Sequence, residues 1–347
     1  MSSPTATRAE TSRPLRRLAR NAAHRFRLVG LVFGIFLALL TVSACGSKSA
    51  TDPASGGSAP AAKMQKLTVQ VAPSLGPSSL LLGIDRGTFK DKGLEIETKP
   101  YAPDSSVPLV LNGQTEIGFN GIGAIITARS KGLPLKIIGA TAIEGGTADT
   151  NSTAVVASKA SGVTSFKELA GKKVGVNALG GDAQAHAAGL IDAEGGDSQS
   201  VQWQAIPFPG QVAALKGGQV DAILTVAPFT SQAVADGNTY LGPFSPAGYG
   251  AGVWFTSDSY LEKNGETVTQ FLAALQEAND YSNAHRDETL AKLAEAADLP
   301  EGAVKAFPNV TWGTKLDPEV VNNAVTLMKK YGFITEAPAL EDLVYTG

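Results

Sequence analysis

Apolar and polar positions change character twice along the chain. An apolar run from Leu28 to Val42 follows an arginine-rich start, and the stretch from Gly46 to Lys63 (GSKSATDPASGGSAPAAK) then shows no apolar period at all. From Lys66 onward, short β-branched runs alternate with stretches of helical period. The strands predicted are Leu67–Val71, Leu94–Thr98, Glu116–Phe119, Lys136–Gly139, Lys173–Val176, Val201–Ala205, Ala222–Thr225 and Gly252–Thr256. Toward the C-terminus, helices are predicted over Val268–Ser282, Asp287–Ala297 and Pro318–Lys330, the last with Asp317 as its cap and proline at its first position. Strands that alternate with helices predict an α/β chain with a mostly parallel sheet.

The body is built twice. Lys66 opens KLTVQVAPSLGPSS and Lys173, 107 residues later, opens KVGVNALGGDAQAH. Tyr101 ends GLEIETKPY and Phe208 ends SVQWQAIPF, again 107 apart, while Gly113-Gln114-Thr115-Glu116-Ile117 is answered 105 residues on by Gly218-Gln219-Val220-Asp221-Ala222. Each copy suffices to bury a core of its own, so two lobes are expected, with the C-terminal tail returning to complete the first. The expected divisions are a signal peptide over 1–44, a cysteine and flexible tether over 45–65, a first lobe of 66–158 with 251–347, and a second lobe of 159–250. The chain is expected to cross between lobes near Ala157–Gly162 and near Gly248–Gly252.

Charge and cysteine content sharpen the picture. Residues 1–44 hold seven arginines and one acid, leaving 22 basic and 31 acidic residues in the remainder, a net of −9. No basic run occurs after Cys45, so the body has no means of gripping a phosphate backbone, and nucleic-acid binding is not expected. The apolar run has the length of a signal-peptide core and ends in Val42-Ser43-Ala44-Cys45, which contains the sole cysteine of the chain. That string resembles a bacterial lipobox, and predicts export, lipidation of Cys45 and anchoring to the outer face of the cytoplasmic membrane. One cysteine allows neither an internal disulfide nor a cysteine-based metal cluster, and no metal or cofactor is expected.

In an open α/β sheet, ligands lie beyond the carboxyl ends of the strands and face helix N-termini. The candidate ligand residues therefore sit in five loops and the segments beside them: Ser74, Leu75, Gly76 and Ser78; Asn120, Gly121 and Ile122; Ala142; Leu179, Gly180, Gly181 and Asp182; and Pro228 and Phe229, with Trp254 on a nearby strand. Each loop also reads as a capped turn, and Phe229 and Trp254 also read as core aromatics. Arginine and lysine are absent from these loops, which suits a small organic molecule better than a bare, strongly hydrated anion.

The stretch Leu111–Gly139 (LNGQTEIGFNGIGAIITARSKGLPLKIIG), with Gly162–Val176 (GVTSFKELAGKKVGV) and Ala213–Phe229 (AALKGGQVDAILTVAPF), resembles ABC-transporter substrate-binding proteins of the nitrate/sulfonate/taurine type. The resemblance runs from about Lys66 to the C-terminus. It implies the type II periplasmic-binding-protein fold, two lobes on a hinge, a ligand held in the cleft, and delivery to a permease with its ATPase by a monomer. Family ligands include alkyl and aryl sulfonates, nitrate, bicarbonate and the pyrimidine precursor of thiamine. The family's loops carry over to Ser74–Ser78, Asn120–Ile122 and Leu179–Asp182. A cleft cation, frequent in binders of inorganic anions, has no equivalent here, which moves the expectation toward organic sulfonates, carboxylates or heteroaromatics.

Two alternatives stand beside this reading. One is a ligand-sensing lipoprotein; the other is an enzyme on the same fold, such as a dehydratase or a pyrimidine synthase. The body holds only His186 and His285, no nucleophile elbow, phosphate loop or HExxH, and not the Cys-rich motif of the pyrimidine synthases. His186 reads as a surface or helix-packing residue, and a binding protein without catalytic residues is expected.

Overall fold

The computed structural model describes residues 64–346 other than 251 and 300–302. The expected signal peptide (1–44), Cys45 and the expected tether as far as residue 63 lie outside the described residues, and Gln65, expected as the end of that tether, already opens the first strand. The first repeat folds as β1 (Gln65–Val71), α1 (Ser78–Asp85), the single-turn α2 (Thr88–Asp91), β2 (Leu94–Pro100), α3 (Pro103–Leu111), β3 (Gly118–Asn120), α4 (Ile122–Ser130), β4 (Leu135–Ala140) and the two-residue β5 (Ala142–Ile143). Next come β6 (Thr153–Ala157), β7 (Lys173–Val176), α5 (Asp182–Ala193), β8 (Gln202–Ala205), α6 (Phe208–Lys216), β9 (Ala222–Val226), α7 (Phe229–Ala235) and β10 (Thr239–Gly242). The tail supplies β11 (Val253–Ser257), α8 (Asp258–Ala284), α9 (Arg286–Ala296), β12 (Thr311–Trp312), α10 (Pro318–Lys330) and α11 (Leu340–Leu343).

Strand pairing makes the repeat explicit. β7 lies parallel to both β8 and β9, and β9 continues antiparallel to β6, which is antiparallel to β10. The resulting sheet has the order β10-β6-β9-β7-β8. In the first repeat β1 is parallel to β2 and bridges in parallel, through Val69 and Ile117, to the residue that precedes β3; β3 and β4 flank β11, both antiparallel to it. The two orders, β2-β1-β3-β11-β4 and β8-β7-β9-β6-β10, correspond strand for strand. In each, the fourth strand comes from outside its own repeat. β6 follows the first repeat in sequence yet lies in the second sheet, and β11 follows the second yet lies in the first.

This pairing moves one crossing. Thr153–Ala157 was expected before the first crossing, but it belongs to the second sheet, so the chain passes over at residues 144–152 and not at 157–162. The cause is burial: all five residues of β6 are buried, and a short Val/Ala run that needs cover on both faces finds it in the second sheet, where Val155 and Ala157 join one apolar cluster and Ala154 and Val156 another. The return crossing runs through 243–252. The two crossings lie side by side, with Glu144 N–H donating to Tyr249 O at 2.8 Å and Gly248 N–H donating to Glu144 O at 2.8 Å.

The tail packs on the first sheet. Along β11, Val253 and Phe255 face a core shared with Ile125, Ile137, Val321 and Met328, while Trp254 faces the other side, among Leu67, Phe119 and Phe271. Burying each such side chain contributes about 1.5–3 kcal/mol. α10 begins as predicted, with the Asp317 carboxylate accepting from Glu319 N–H at 2.9 Å. α8 starts ten residues before the predicted Val268, because Ser257 caps it from the end of β11, accepting from Tyr260 N–H at 3.2 Å; its helical path is interrupted at Asn264 (φ −134°, ψ 28°), next to Gly265.

Candidate ligand cleft

The carboxyl ends of β1, β3 and β4 in one sheet and of β7 and β9 in the other lead into the loops singled out above, and α1, α4, α5 and α7 start there. On the first-sheet side the loop after β1 is tied down. Leu75 O accepts from Ser78 Oγ at 2.7 Å and from Trp312 Nε1 at 3.0 Å, and the Leu75 side chain packs with Leu293 and Trp312. Ser78 is fully buried and caps its own loop, whereas Ser74 is half-buried. Gly76 lies against Thr141, where a β-carbon would stand 3.1 Å from Thr141 Cβ, so this loop approaches the end of β4 as only glycine allows. Thr141 in turn donates to Gly252 O at 3.2 Å.

Asn120, at the end of β3, is 7% exposed; its Oδ1 accepts from Gly121 N–H at 2.8 Å and from the Tyr101 hydroxyl at 3.0 Å. Tyr101 was missed as a site residue. It sits just beyond β2 with its ring edge-on to Phe119 at 4.9 Å, and burial, with the Asp104 carboxylate nearby, pushes its hydroxyl up to about 12. Its place at the end of the repeated strand was the one available signal.

On the second-sheet side Leu179 is 56% exposed, an uncommon position for a large apolar side chain. Gly180 has φ +72° and donates to Gln184 Oε1 at 2.8 Å, and Gly181 precedes α5 in extended conformation. Asp182, the first residue of α5, reaches the other half of the molecule. Its carboxylate accepts from the Tyr249 hydroxyl, in the return crossing, and lies against Gly123 in the first turn of α4. Tyr249 was also missed: a lone tyrosine in a glycine-rich connector carries no pattern. His186, one turn along α5, is 5% exposed, so it is a buried residue and not a surface one; its ring stands edge-on to Tyr249 at 5.2 Å and its Nδ1 is 2.9 Å from Asp182 O. Burial holds this imidazole below its usual value, and so neutral at pH 7. Further along, Asp192 accepts from the Tyr331 hydroxyl at 2.6 Å, which ties the end of α5 to the end of α10.

Three expected ligand residues have side chains buried in apolar clusters. Ile122 and Ala142 are 1% and 0% exposed and belong to apolar clusters, and Trp254 is fully enclosed between Phe119 and Phe271. Each stands where a sheet or helix face meets its packing layer, so apolar burial claims the side chain. Phe229 packs partly against the core around Ile223 and Val212, next to Pro228, which follows a cis peptide bond.

Beneath the cleft, Glu144 is 1% exposed, and its carboxyl is bonded to both the backbone N–H and the hydroxyl of Ser152. Burial pushes it up to about 7, against the opposing pull of those two bonds. A surface depression of about 260 Å³ bordered by Lys159, Leu215 and Asp236 lies at the opposite ends of the second-sheet strands and takes no part in this cluster.

The fold is similar to that of the alkanesulfonate-binding protein SsuA from Xanthomonas axonopodis pv. citri bound to MOPS, at 18% identity over 83% of this chain and 100% of that one (TM-score 0.68). It is also similar to a Candida albicans protein, the CA3427 gene product, described as having the generic periplasmic binding protein fold, at 18% identity over 81% and 96% of the two chains (TM-score 0.64). The desulfurization enzyme DSZB shares it at 18% identity over 80% and 95% (TM-score 0.57). At such identities the likeness establishes the architecture, the periplasmic-binding-protein fold with open α/β sheets. No curated protein matches the sequence. The family model described as NMT1/THI5 like matches residues 78–289, the greater part of the body built above, and the chain belongs to the NMT1/THI5-like family.

Proposed function

We propose that the protein is an extracytoplasmic solute-binding lipoprotein of an ABC importer, held to the membrane through Cys45, which captures a small organic molecule between two closing lobes and passes it to a permease and its ATPase. The first lobe comprises residues 66–143 and 253–347 and the second residues 153–242, with the paired crossings as hinge. The observation that carries this reading is the meeting of the two repeats at Asp182, Gly123 and Tyr249: the strand-end loops of both sheets converge there, over two antiparallel connectors able to bend together. Family membership and the binding proteins that share the fold support it. The solute is a sulfonate, a carboxylate or a heteroaromatic. Binding to the closed form in preference to the open one would drive capture.

The test is a thermal-shift screen of the full chain in detergent, followed by small-angle scattering with the best hit. A solute at about 100 times its Kd adds roughly 2.7 kcal/mol of stability, a shift of several degrees. A smaller radius of gyration with the bound solute is the expected result, and a saturating solute that leaves the radius unchanged would refute lobe closure.

DSZB, an enzyme with this fold, gives a second reading some ground, since the buried His186 and Tyr249 meet the half-buried Asp182 in a polar cluster where the strand-end loops converge. Turnover of a bound sulfonate or sulfinate, followed by chromatography, would favour catalysis over delivery.

A further inference from the structure

The two crossings are fastened to each other and to the tail. Asn151 Nδ2 donates to Ser245 O at 2.9 Å, Gly145 N–H closes a turn on Thr150 O at 2.8 Å, and Asn309 N–H donates to Asp149 O at 2.6 Å. One side chain spans the first crossing from end to end. Glu144 directly follows β5 and Ser152 directly precedes β6. The bonds from the Glu144 carboxyl to the Ser152 N–H and hydroxyl therefore join the residue that leaves the first repeat to the residue that enters the second sheet. Ser152 O in turn accepts from Ala227 N–H at 2.8 Å, just beyond β9.

No lysine or arginine among the described residues bonds this buried carboxyl. The ionisable groups around it are the Tyr240 hydroxyl on β10, with Asp149 near it, and the Tyr249 hydroxyl in the return crossing, which meets Asp182 and His186. Asp317, beside Gly248, caps α10; Arg286 bonds the Phe307 and Pro308 carbonyls; and Lys315 is exposed. A neutral carboxyl fits this dry setting with both bonds to Ser152 made. An ionised one without a cation needs water, which it reaches only if the crossing parts. Burial places the change at about pH 7. Building on the two-lobe reading above, we infer that Glu144 is a proton-sensitive clamp on the hinge: neutral, it ties the ends of the first crossing together; ionised, it draws in water, loosens both crossings and lets the lobes part.

Small-angle neutron scattering of the full chain in contrast-matched detergent, with no solute present, tests this at pH 5.5 and 8.5. Glu144→Gln, which keeps the bonds to Ser152 without a charge, is measured beside the wild type. The wild type is expected to have the larger radius of gyration at pH 8.5, and the variant the same radius at both. Hydrogen exchange at pH 8.5 should be at least tenfold faster in the wild type than in the variant at Gly145 and Gly248, by a ratio that exceeds the one found along β9. A group that only stabilised the fold would raise exchange along β9 as much as in the crossings and leave the radius alone, and that result overturns the inference. So does a wild-type radius equal at both pH values, or an equal rise in the variant. Should the variant not fold, the wild-type radii decide alone. Compaction with a solute at pH 5.5 beside a radius indifferent to pH would remove the clamp and leave solute capture standing.

Discussion

Asp182 and Gly123, the first residue of α5 and the second of α4, are packed so closely that a β-carbon on the glycine would stand 2.7 Å from Asp182 Cγ. The two residues come from different repeats, so this contact reports how near the strand-end loops of the two sheets come. Gly123→Ala must part them or displace the carboxylate, at a cost of about 1–3 kcal/mol. The expected outcome is a larger radius of gyration by small-angle scattering and a loss of solute affinity of about tenfold or more, with unchanged far-ultraviolet circular dichroism. An unaltered radius would show that the contact does not govern closure.

Glu144 makes stability depend on pH. Its folded value of about 7 lies above the ordinary glutamate value, so between the two the folded state holds a proton that the unfolded state has released. Stability from this group is therefore fully present below about pH 4.5 and is lost as pH rises through about 7, by on the order of 3 kcal/mol. Urea unfolding at pH 5, 6, 7 and 8 should show the decline. Glu144→Gln should flatten it, since an amide can accept from Ser152 N–H and donate to Ser152 Oγ without charge.

Trp254 separates core from cleft. Truncation to alanine leaves a cavity among Phe119, Leu67 and Phe271 and should cost about 3–5 kcal/mol in denaturant unfolding. Solute affinity of the folded fraction should stay within about twofold of wild type. A loss of affinity larger than the loss of folded protein would put the indole in the cleft wall.

Gly180 tests the loop after β7. Open space surrounds its missing side chain, so a substitution there acts through the backbone, held at φ +72°. Gly180→Val should cost roughly 1–2 kcal/mol and weaken solute binding, because the left-handed conformation disfavours a β-branched residue. Gly180→Asn, which tolerates that conformation, should recover most of the stability. Equal affinity in all three proteins would remove the loop from the site.

Sequence by itself determined the local elements and their duplication. Strand and helix periods are set by residues a few positions apart, so β1, β7, β9 and α10 could be read within a residue or two, as could the 107-residue repeat and the candidate loops at strand ends. Where a local signal was weak or misleading, the reading stopped short: Gly265 concealed the early start of α8, and β10 was too brief to register. Only the tertiary structure decided that β6 joins the sheet of the other repeat, that Trp254 and Ile122 are core, and that Tyr249 and His186 gather around Asp182. Those outcomes depend on partners many tens of residues away. A Val/Ala run needs cover on both faces, and a carboxylate needs a donor, but neither requirement says from which part of the chain the cover or the donor will come.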